Sequence, residues 1–289
     1  MSEHIKKATL ELLRRAATTL PSDIMNTLAR AYENEESDAA KMNLKVILDN
    51  VRIAGEQSLP MCQDTGAPIF WIHYPRSYSQ AELRRKMNEA VRVASQIPYL
   101  RPNAVDSITG KNSGDNIGAG VPVYHFEEWD ENYLKVELML KGGGSENVSP
   151  QYKLPDSSLG GGRNLEGVRR CVIDAVFKAQ GLGCAPGVIG VAIGGNRDTA
   201  YAAAKKALMR PFDDQNSMPE LNELEQRLLK ELNELGIGPM GFGGKTTVLA
   251  VKAVALHRLP ACFFVSIAYN CWALRRQTMI IKGGEVSYD

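Results

Sequence analysis

Apolar and polar positions over residues 1–58 follow the pattern of amphipathic helices. Between Ile5 and Ala16, apolar side chains recur at helical spacing and would form one face of an α-helix. After the first helix, Pro21 marks the start of a second predicted helix, and a third is predicted to begin near Ser37. These residues therefore predict a helical N-terminal segment.

Short strand-like segments follow, interrupted by helices. Residues 67–74 (APIFWIHY) are apolar and aromatic and predict a strand. Ser79, three residues before Glu82, forms a capping box, which predicts that a helix starts there. Residues 121–126 and 133–140 predict the two strands of a β-hairpin, because apolar and polar side chains alternate in the second of them.

The rest of the chain continues this mixture without a clean βαβ alternation. We expect helices over 165–180, 197–209 and 219–235, strand-like segments over 187–193, 246–256 and 262–268, and a short strand over 278–282. This order predicts an α+β (irregular mixed α/β) fold, in which the helical N-terminal segment packs on a mixed-sheet domain. A length of 289 residues fits one large domain, with residues 59–289 as its core.

Glycine is concentrated in a few loops. The clusters lie at residues 142–144, 160–162, 194–195 and 236–244, and the chain has 26 glycines in all. Glycine lets backbone N–H groups approach an anion closely. We therefore expect glycine-rich active-site loops.

Charge and hydropathy exclude several classes of partner. Lys and Arg number 34 and Asp and Glu 33, so the net charge of +1 gives no general attraction to nucleic acid or to an anionic membrane. The N-terminus is charged throughout and is not a signal peptide, and apolar runs such as 261–268 are too short to span a bilayer. We expect a cytoplasmic protein with neither a nucleic-acid nor a membrane partner.

The five cysteines fall into two groups. Cys171 lies inside a predicted helix and Cys262 in an apolar run, so both are predicted to be small buried residues. Cys62, Cys184 and Cys271 stand at chain breaks beside glycine, proline or polar residues, where soft-metal ligands are usually presented. Three ligands would leave one metal position open for a Lewis acid. Their wide spacing alone also allows three unrelated thiols.

Two further segments carry weaker signals. The polar stretch 100–116 contains Arg101, which can bind a carboxylate in bidentate fashion, but the stretch could equally be a solvated loop. Residues 236–247 (GIGPMGFGGKTT) are similar to a phosphate-binding loop, yet Pro239 stands where that motif requires its first glycine. A nucleotide site is therefore disfavoured.

Several motifs between residues 59 and 276 form a recognisable set. They are MCQDTG at 61–66, KGGGSEN at 141–147, GC at 183–184, GGN at 194–196, GFGGKTT at 241–247, and NC at 270–271 followed by RR at 275–276. In this order they resemble the iron–sulfur, class I fumarate hydratases and L(+)-tartrate dehydratases. Each motif alone is weak, and the set is specific.

The resemblance implies a [4Fe–4S] cluster held by three cysteines. By position these would be Cys62, Cys184 and Cys271, with Cys262 as the nearest rival for the third place. The fourth iron would stay open as a Lewis acid on the substrate hydroxyl. His257 precedes the third cysteine, but its local spacing does not match the family, so the resemblance assigns it no role.

The resemblance also implies a substrate pocket. Gln63, Arg101 and the backbone of Gly143 and Gly144 would bind a small dicarboxylate, and Asp64 would be the catalytic residue that handles the proton of the metal-bound oxygen.

The expected function is that of the α subunit of a [4Fe–4S]-dependent hydro-lyase that reversibly hydrates fumarate to L-malate. The alternative within the resemblance is an L(+)-tartrate dehydratase α subunit, which converts tartrate to oxaloacetate. Single-chain members carry a further C-terminal domain, and nothing after Arg276 resembles it. We therefore expect a hetero-oligomer in which a β subunit completes the active site. From other classes, a phosphate- or nucleotide-binding protein and a non-catalytic zinc-binding subunit remain as alternatives.

Overall fold

A computed structural model describes residues 2–289 of the chain. In this part of the chain the helices are α1 (Ser2–Thr18), α2 (Ser22–Asn34), α3 (Asp38–Gln57), α4 (Gln80–Gln96), α5 (Gly143–Asn147), α6 (Leu165–Ala179), α7 (Arg197–Ala207) and α8 (Pro219–Asn233). The strands are β1 (Ala67–Pro75), β2 (Val123–Trp129), β3 (Leu134–Lys141), β4 (Gln151–Lys153), β5 (Gly187–Ile193), β6 (Val248–Ala255), β7 (Phe264–Asn270), β8 (Arg275–Lys282) and β9 (Glu285–Tyr288). Helices and mixed sheets together confirm the predicted α+β class.

Backbone contacts divide the chain into two compact units. The first unit comprises residues up to Pro21, Asp49–Gly143 and Ala273–Asp289, and the second comprises Ser22–Leu48 and Gly144–Trp272. This grouping does not follow the division at residue 58, because α3 contributes residues to both units. The organisation of residues 1–289 as a single domain stays a prediction.

The first unit contains a five-stranded sheet in the order β2-β1-β3-β8-β9. β1 pairs in parallel with β2 and antiparallel with β3, and β3 pairs antiparallel with β8. The predicted hairpin of 121–126 with 133–140 is therefore wrong, since β1 lies between these two strands. β3 is buried along almost its whole length, so it needs a partner on each side, and both partners are distant in sequence.

The core of the first unit lies between this sheet and two helices. α1 and α4 bury Leu12, Leu13 and Met87 against Phe70 and Leu138 of the sheet. The predicted N-terminal helix and its apolar face are thereby confirmed. Ser79 caps α4, because its side chain accepts a hydrogen bond from the backbone N–H of Glu82.

The second unit contains a four-stranded sheet in the order β4-β7-β5-β6. β5 and β6 are parallel and are connected through α7 and α8, whereas β7 runs antiparallel to β5. Gly190 lets α7 lie close to β5, because a side chain at this position would overlap with the backbone of Ala204. Within residues 2–289, no helix is both long and apolar enough to cross a membrane.

A buried network of charges fixes the connection between α7 and α8. One carboxylate oxygen of Glu225 accepts hydrogen bonds from Arg210 at 2.7 Å, from the Ala253 backbone N–H at 2.6 Å and from Asn216 at 2.8 Å. Arg210 also pairs with Asp214, with nitrogen–oxygen distances of 2.8 and 3.0 Å. Because Glu225 is buried and its partners are only partly exposed, loss of the Glu225 carboxylate would leave several donors unsatisfied.

We expect Glu225→Ala to lower the free energy of unfolding by about 3 kcal/mol, since it removes a buried partner of Arg210 and of a backbone N–H. The measurement is urea unfolding followed by circular dichroism. Glu223→Ala on the exposed face of the same helix is the matched control and should change the value by less than about 0.5 kcal/mol. Equal effects of the two substitutions would contradict the role of the network.

Candidate active site

Three strand ends meet at one end of the sheet in the first unit. Ala67 at the start of β1 lies opposite Lys141 at the end of β3. Leu140 of β3 lies opposite Arg275 at the start of β8. The antiparallel pairing therefore brings the segments just before β1, just after β3 and at the start of β8 together.

The carboxylate of Asp64, which is half-buried, is held by two backbone N–H groups at this end. One oxygen, Oδ1, accepts from Gly66 at 2.9 Å, and the other, Oδ2, accepts from Gly143 at 2.7 Å. Gly66 has a φ of +78°, and a side-chain carbon there would lie 2.8 Å from the carbonyl carbon of Leu140. Only glycine suits this turn, and the turn fixes the orientation of the carboxylate.

Arg275 approaches the same residue from the opposite side. Its side chain is 2% exposed, and its Nη1 donates a hydrogen bond of 2.6 Å to the backbone carbonyl oxygen of Asp64. A side-chain carbon on Gly142 would lie 3.0 Å from Oδ2 of Asp64 and 3.4 Å from Nη2 of Arg275. The Asp64 carboxylate and the Arg275 guanidinium thus both border the space that is open because Gly142 has no side chain. Sequence reasoning counted Arg275 in a motif but assigned it no role.

Gln63 and Arg101 are also brought together in the first unit. The guanidinium Nη1 of Arg101 donates to the backbone carbonyl of Gln63 at 3.3 Å, and both residues are exposed. Thr65, which is 1% exposed, accepts from the backbone N–H of Arg101 at 3.0 Å and from Asn103 at 3.1 Å. Thr65 therefore ties the Arg101 segment to the Asp64 turn, a role that the sequence did not indicate.

The polar segment 100–116 is internally hydrogen-bonded. Asn116, which is 2% exposed, accepts from the backbone N–H groups of Asn103 at 2.7 Å and Ala104 at 3.2 Å. Its amide nitrogen donates to the carbonyl of Arg101 at 2.9 Å. Asn112 donates to the carbonyl of Pro102 at 2.8 Å. The backbone around Arg101 is therefore held in a defined conformation.

Two of the three candidate cysteine ligands lie in the second unit. Cys184 is exposed and ends a short 3₁₀ turn with φ 52° and ψ 62°, and Cys271 is half-buried directly after β7. The backbone N–H of Trp272 donates to the carbonyl of Cys184 at 3.4 Å. Burial raises the pKa of Tyr269, and negative charge on Cys271 and Cys184 raises it further.

The glycines around Cys184 are required by the ring of Tyr269. Tyr269 is 1% exposed, and a side-chain carbon on Gly183 or on Gly187 would overlap with its ring. The segment that carries Cys184 is therefore packed directly against an aromatic side chain. These two glycines serve packing, whereas glycine composition alone had suggested anion binding.

The third candidate ligand, Cys62, lies in the first unit and is half-buried. The backbone of the preceding residue, Met61, is held by hydrogen bonds at both its N–H and its carbonyl group. Its N–H donates to the carbonyl of Ala17 at 3.1 Å, and its carbonyl accepts from Asn50 at 2.7 Å. The backbone leading to Cys62 and Asp64 is thus anchored to α1 and α3.

No three or more His, Cys, Asp or Glu side chains within residues 2–289 are arranged to hold a metal ion, and none of the cysteines there forms a disulfide. The ligand set Cys62, Cys184 and Cys271 therefore stays a prediction. Its donor chemistry fits an iron–sulfur cluster, because thiolates are the usual ligands of such clusters. Cys171 is buried in α6, as predicted, and burial raises the pKa of its thiol to about 12. Cys262 lies before β7 and is half-buried, so its predicted place in a strand is wrong.

Two carboxylates from the connection between α2 and α3 bind Lys245 in the glycine-rich segment 236–247. The buried carboxylate of Glu35 accepts from the backbone N–H of Lys245 at 2.8 Å. The side-chain nitrogen of Lys245 pairs with Glu36 at 2.5 Å. Both the backbone N–H and the side chain of Lys245 are therefore engaged by acidic side chains, which argues against a phosphate bound at this lysine.

Comparison with known proteins gives one consistent family. The sequence pattern described as fumarate hydratase (Fumerase) matches residues 6–280. A Geobacillus stearothermophilus protein provisionally named fumarate hydratase class I is 46% identical over 278 residues, which is 95% of this chain and 54% of that protein. The chain thus spans about half of that relative's length.

Two relatives of similar length carry a different name. A Methanocaldococcus jannaschii protein provisionally named L(+)-tartrate dehydratase subunit alpha is 36% identical over 283 residues, covering 96% of this chain and 98% of that protein. The L(+)-tartrate dehydratase subunit alpha of Escherichia coli K12 is 31% identical over 270 residues, covering 92% of this chain and 86% of that protein. Because the family pattern extends over nearly all of the sequence, the chain belongs to the fumarate hydratase (Fumerase) family.

Proposed function

We propose that this chain is the α subunit of a [4Fe–4S]-dependent hydro-lyase that interconverts fumarate and L-malate. The observation that carries the proposal is the Asp64 carboxylate, held by two backbone N–H groups two residues after Cys62, in a chain of the fumarate hydratase family. An oriented carboxylate beside a candidate metal ligand is the arrangement that proton transfer during addition or removal of water requires.

Cys62, Cys184 and Cys271 would hold the cluster. When bound, the cluster supplies a Lewis acid for the oxygen that is added to or lost from the substrate. Cys184 is exposed, and both Cys62 and Cys271 are half-buried, so all three thiols differ from the fully buried Cys171. This difference in accessibility supports the assignment of Cys171 as a packing residue.

Asp64 would accept and return the proton of the water oxygen. Each of its carboxylate oxygens accepts one backbone hydrogen bond and keeps a further lone pair for a proton. The backbone N–H of Gly143 is committed to Asp64, so Gly143 positions the carboxylate in this structure. The contact of Gly143 with the substrate stays a prediction. We propose that Gly144, which is exposed, donates its backbone N–H to a substrate carboxylate.

Arg101 and Gln63 would bind the other end of the dicarboxylate. Arg101 uses one N–H for the carbonyl of Gln63, and its guanidinium has further donors with which to bind a carboxylate. Thr65 and Asn116 hold its backbone, so the entropic cost of ordering this segment around a substrate is reduced.

L(+)-tartrate dehydration is the second candidate function, and a specific observation favours it. The relatives named tartrate dehydratase subunit alpha match this chain over 98% and 86% of their length, whereas the fumarate hydratase relative extends well beyond it. Sequence identity favours fumarate hydration, because the chain is 46% identical to the fumarate hydratase relative and 36% and 31% identical to the two tartrate dehydratase relatives. In either case we propose that a β subunit completes the active site, and that the assembly is a cytoplasmic hetero-oligomer.

We expect about four iron and four sulfide ions per chain after anaerobic reconstitution, as a [4Fe–4S] cluster requires. The chain co-expressed with a candidate β subunit and carrying the cluster should hydrate fumarate. An assay of the same complex with L-tartrate decides between the two substrates. Zinc without sulfide would contradict the proposal in favour of a non-catalytic subunit. Turnover by the single chain would contradict the need for a β subunit.

The cluster should protect three particular cysteines from iodoacetamide. We expect Cys62, Cys184 and Cys271 to be modified only without the cluster, and Cys171 to stay unmodified in both states because it is buried. Cys262 is the matched control, since it is half-buried like Cys62 and Cys271 and should react equally in both states. Mass spectrometry of peptides measures each site. Protection of Cys262 in place of Cys271 would reassign the third ligand.

Asp64→Asn should lower kcat by about 100-fold or more, because the amide has nearly the volume of the carboxylate but cannot accept the proton, and its NH2 group cannot accept the hydrogen bond from Gly66 or Gly143. Iron and sulfide content should be unchanged. Asp130→Asn, in the exposed turn between β2 and β3, is the control and should retain wild-type turnover. Full activity of Asp64→Asn in the loaded complex would remove the catalytic assignment.

A further inference from the structure

Arg275 is the most deeply buried charged side chain near Asp64. It is 2% exposed, and its Nε has no hydrogen-bond partner among residues 2–289. Its Nη1 binds a neutral acceptor, the backbone carbonyl of Asp64, at 2.6 Å. Burying a guanidinium against a neutral carbonyl is unfavourable in comparison with a paired carboxylate, so stability alone does not account for an arginine here.

The Arg275 side chain points toward the residue that carries the Asp64 carboxylate. Arg275 binds the backbone carbonyl of Asp64 through Nη1. Its Nη2 and Oδ2 of Asp64 both border the space that a side chain on Gly142 would occupy. The carboxylate is therefore held by the Gly66 and Gly143 N–H groups, and Nη2 of Arg275 lies near the same Cβ position of Gly142 as the carboxylate does. A planar guanidinium can contact the backbone and the carboxylate side together, whereas an ammonium group acts as a single point charge.

We propose that Arg275 is a positioning residue for the Asp64 carboxylate, acting through the Asp64 backbone and across the gap above Gly142. This inference rests on the proposed catalytic role of Asp64. Arg275 fixes the carbonyl of the residue, and the turn to Gly66 then fixes its side chain. Displacement of a reacting group by about 1 Å can lower turnover about 100-fold.

The first test compares Arg275→Met and Arg275→Lys in the full chain assembled with its β subunit. We expect Arg275→Met to lower kcat per bound iron about 100-fold with little change in the KM for fumarate, because the substrate groups are untouched. Arg275→Lys keeps the charge without the planar fork and should show a smaller loss. Arg210→Lys, at a half-buried arginine of the second unit, is the control for general destabilisation and should leave kcat per iron unchanged.

The second test does not depend on activity. Hydrogen exchange of the full chain, followed by mass spectrometry, measures the order of residues 61–67. We expect faster exchange there in Arg275→Met than in Arg210→Lys, because the Gly66 N–H is held by the carboxylate that Arg275 positions. Gly142→Ala approaches the same contact from the other side and should also speed this exchange, even if Arg275→Met fails to fold.

The outcomes separate this inference from the proposed function. An active wild-type complex in which the Arg275 variants retain kcat within about twofold and exchange at residues 61–67 is unchanged would overturn the inference. A wild-type complex with a full cluster and no turnover of fumarate or L-tartrate would refute the proposed function. The exchange measurement would still decide whether Arg275 orders the Asp64 turn.

Discussion

The antiparallel pairing of β3 with both β1 and β8 is the constraint on which the candidate site depends. It places Ala67, Lys141 and Arg275 at one end of a sheet. The turn that carries Asp64 precedes the first of these, and Gly142 and Gly143 follow the second. A shift of β3 by one residue would turn its buried side chains to the other face and separate Gly143 from Asp64, so the core of the first unit and the site geometry are fixed together.

Glycine has several different functions in this chain. Gly66 permits a turn with positive φ beside the backbone of β3, and Gly142 leaves room for a carboxylate and a guanidinium. Gly183 and Gly187 leave room for an aromatic ring. The loop near Gly244 surrounds a buried carboxylate. A glycine cluster therefore marks a close approach of some kind, and the approaching group must be known before its function is assigned.

Local patterns predicted the helices well and the strand partners poorly. The N-terminal helical face and the Ser79 cap are confirmed, because both depend on neighbouring residues alone. The pairing of β2 with β3 was wrong, since short sequence separation favours a hairpin but burial of β3 on both edges requires distant partners. Gln63 and Asp64 were found by motif and Arg101 in the polar stretch 100–116, and all three lie in the first unit. Thr65 and Arg275 stand in motifs and Asn116 in the polar stretch, but their contributions depend on contacts formed only in the folded chain, so the sequence assigned them no role.

The packing of Tyr269 against Gly183 and Gly187 has a consequence for the assembly of the protein. The segment that presents Cys184 packs against the buried ring of Tyr269 through contacts between protein atoms alone. In small zinc domains, by contrast, the metal supplies the free energy that folds the ligands into place. Here the position of the Cys184 segment depends on the packing of Tyr269, so a larger residue at Gly183 or Gly187 would displace this segment whatever Cys184 binds.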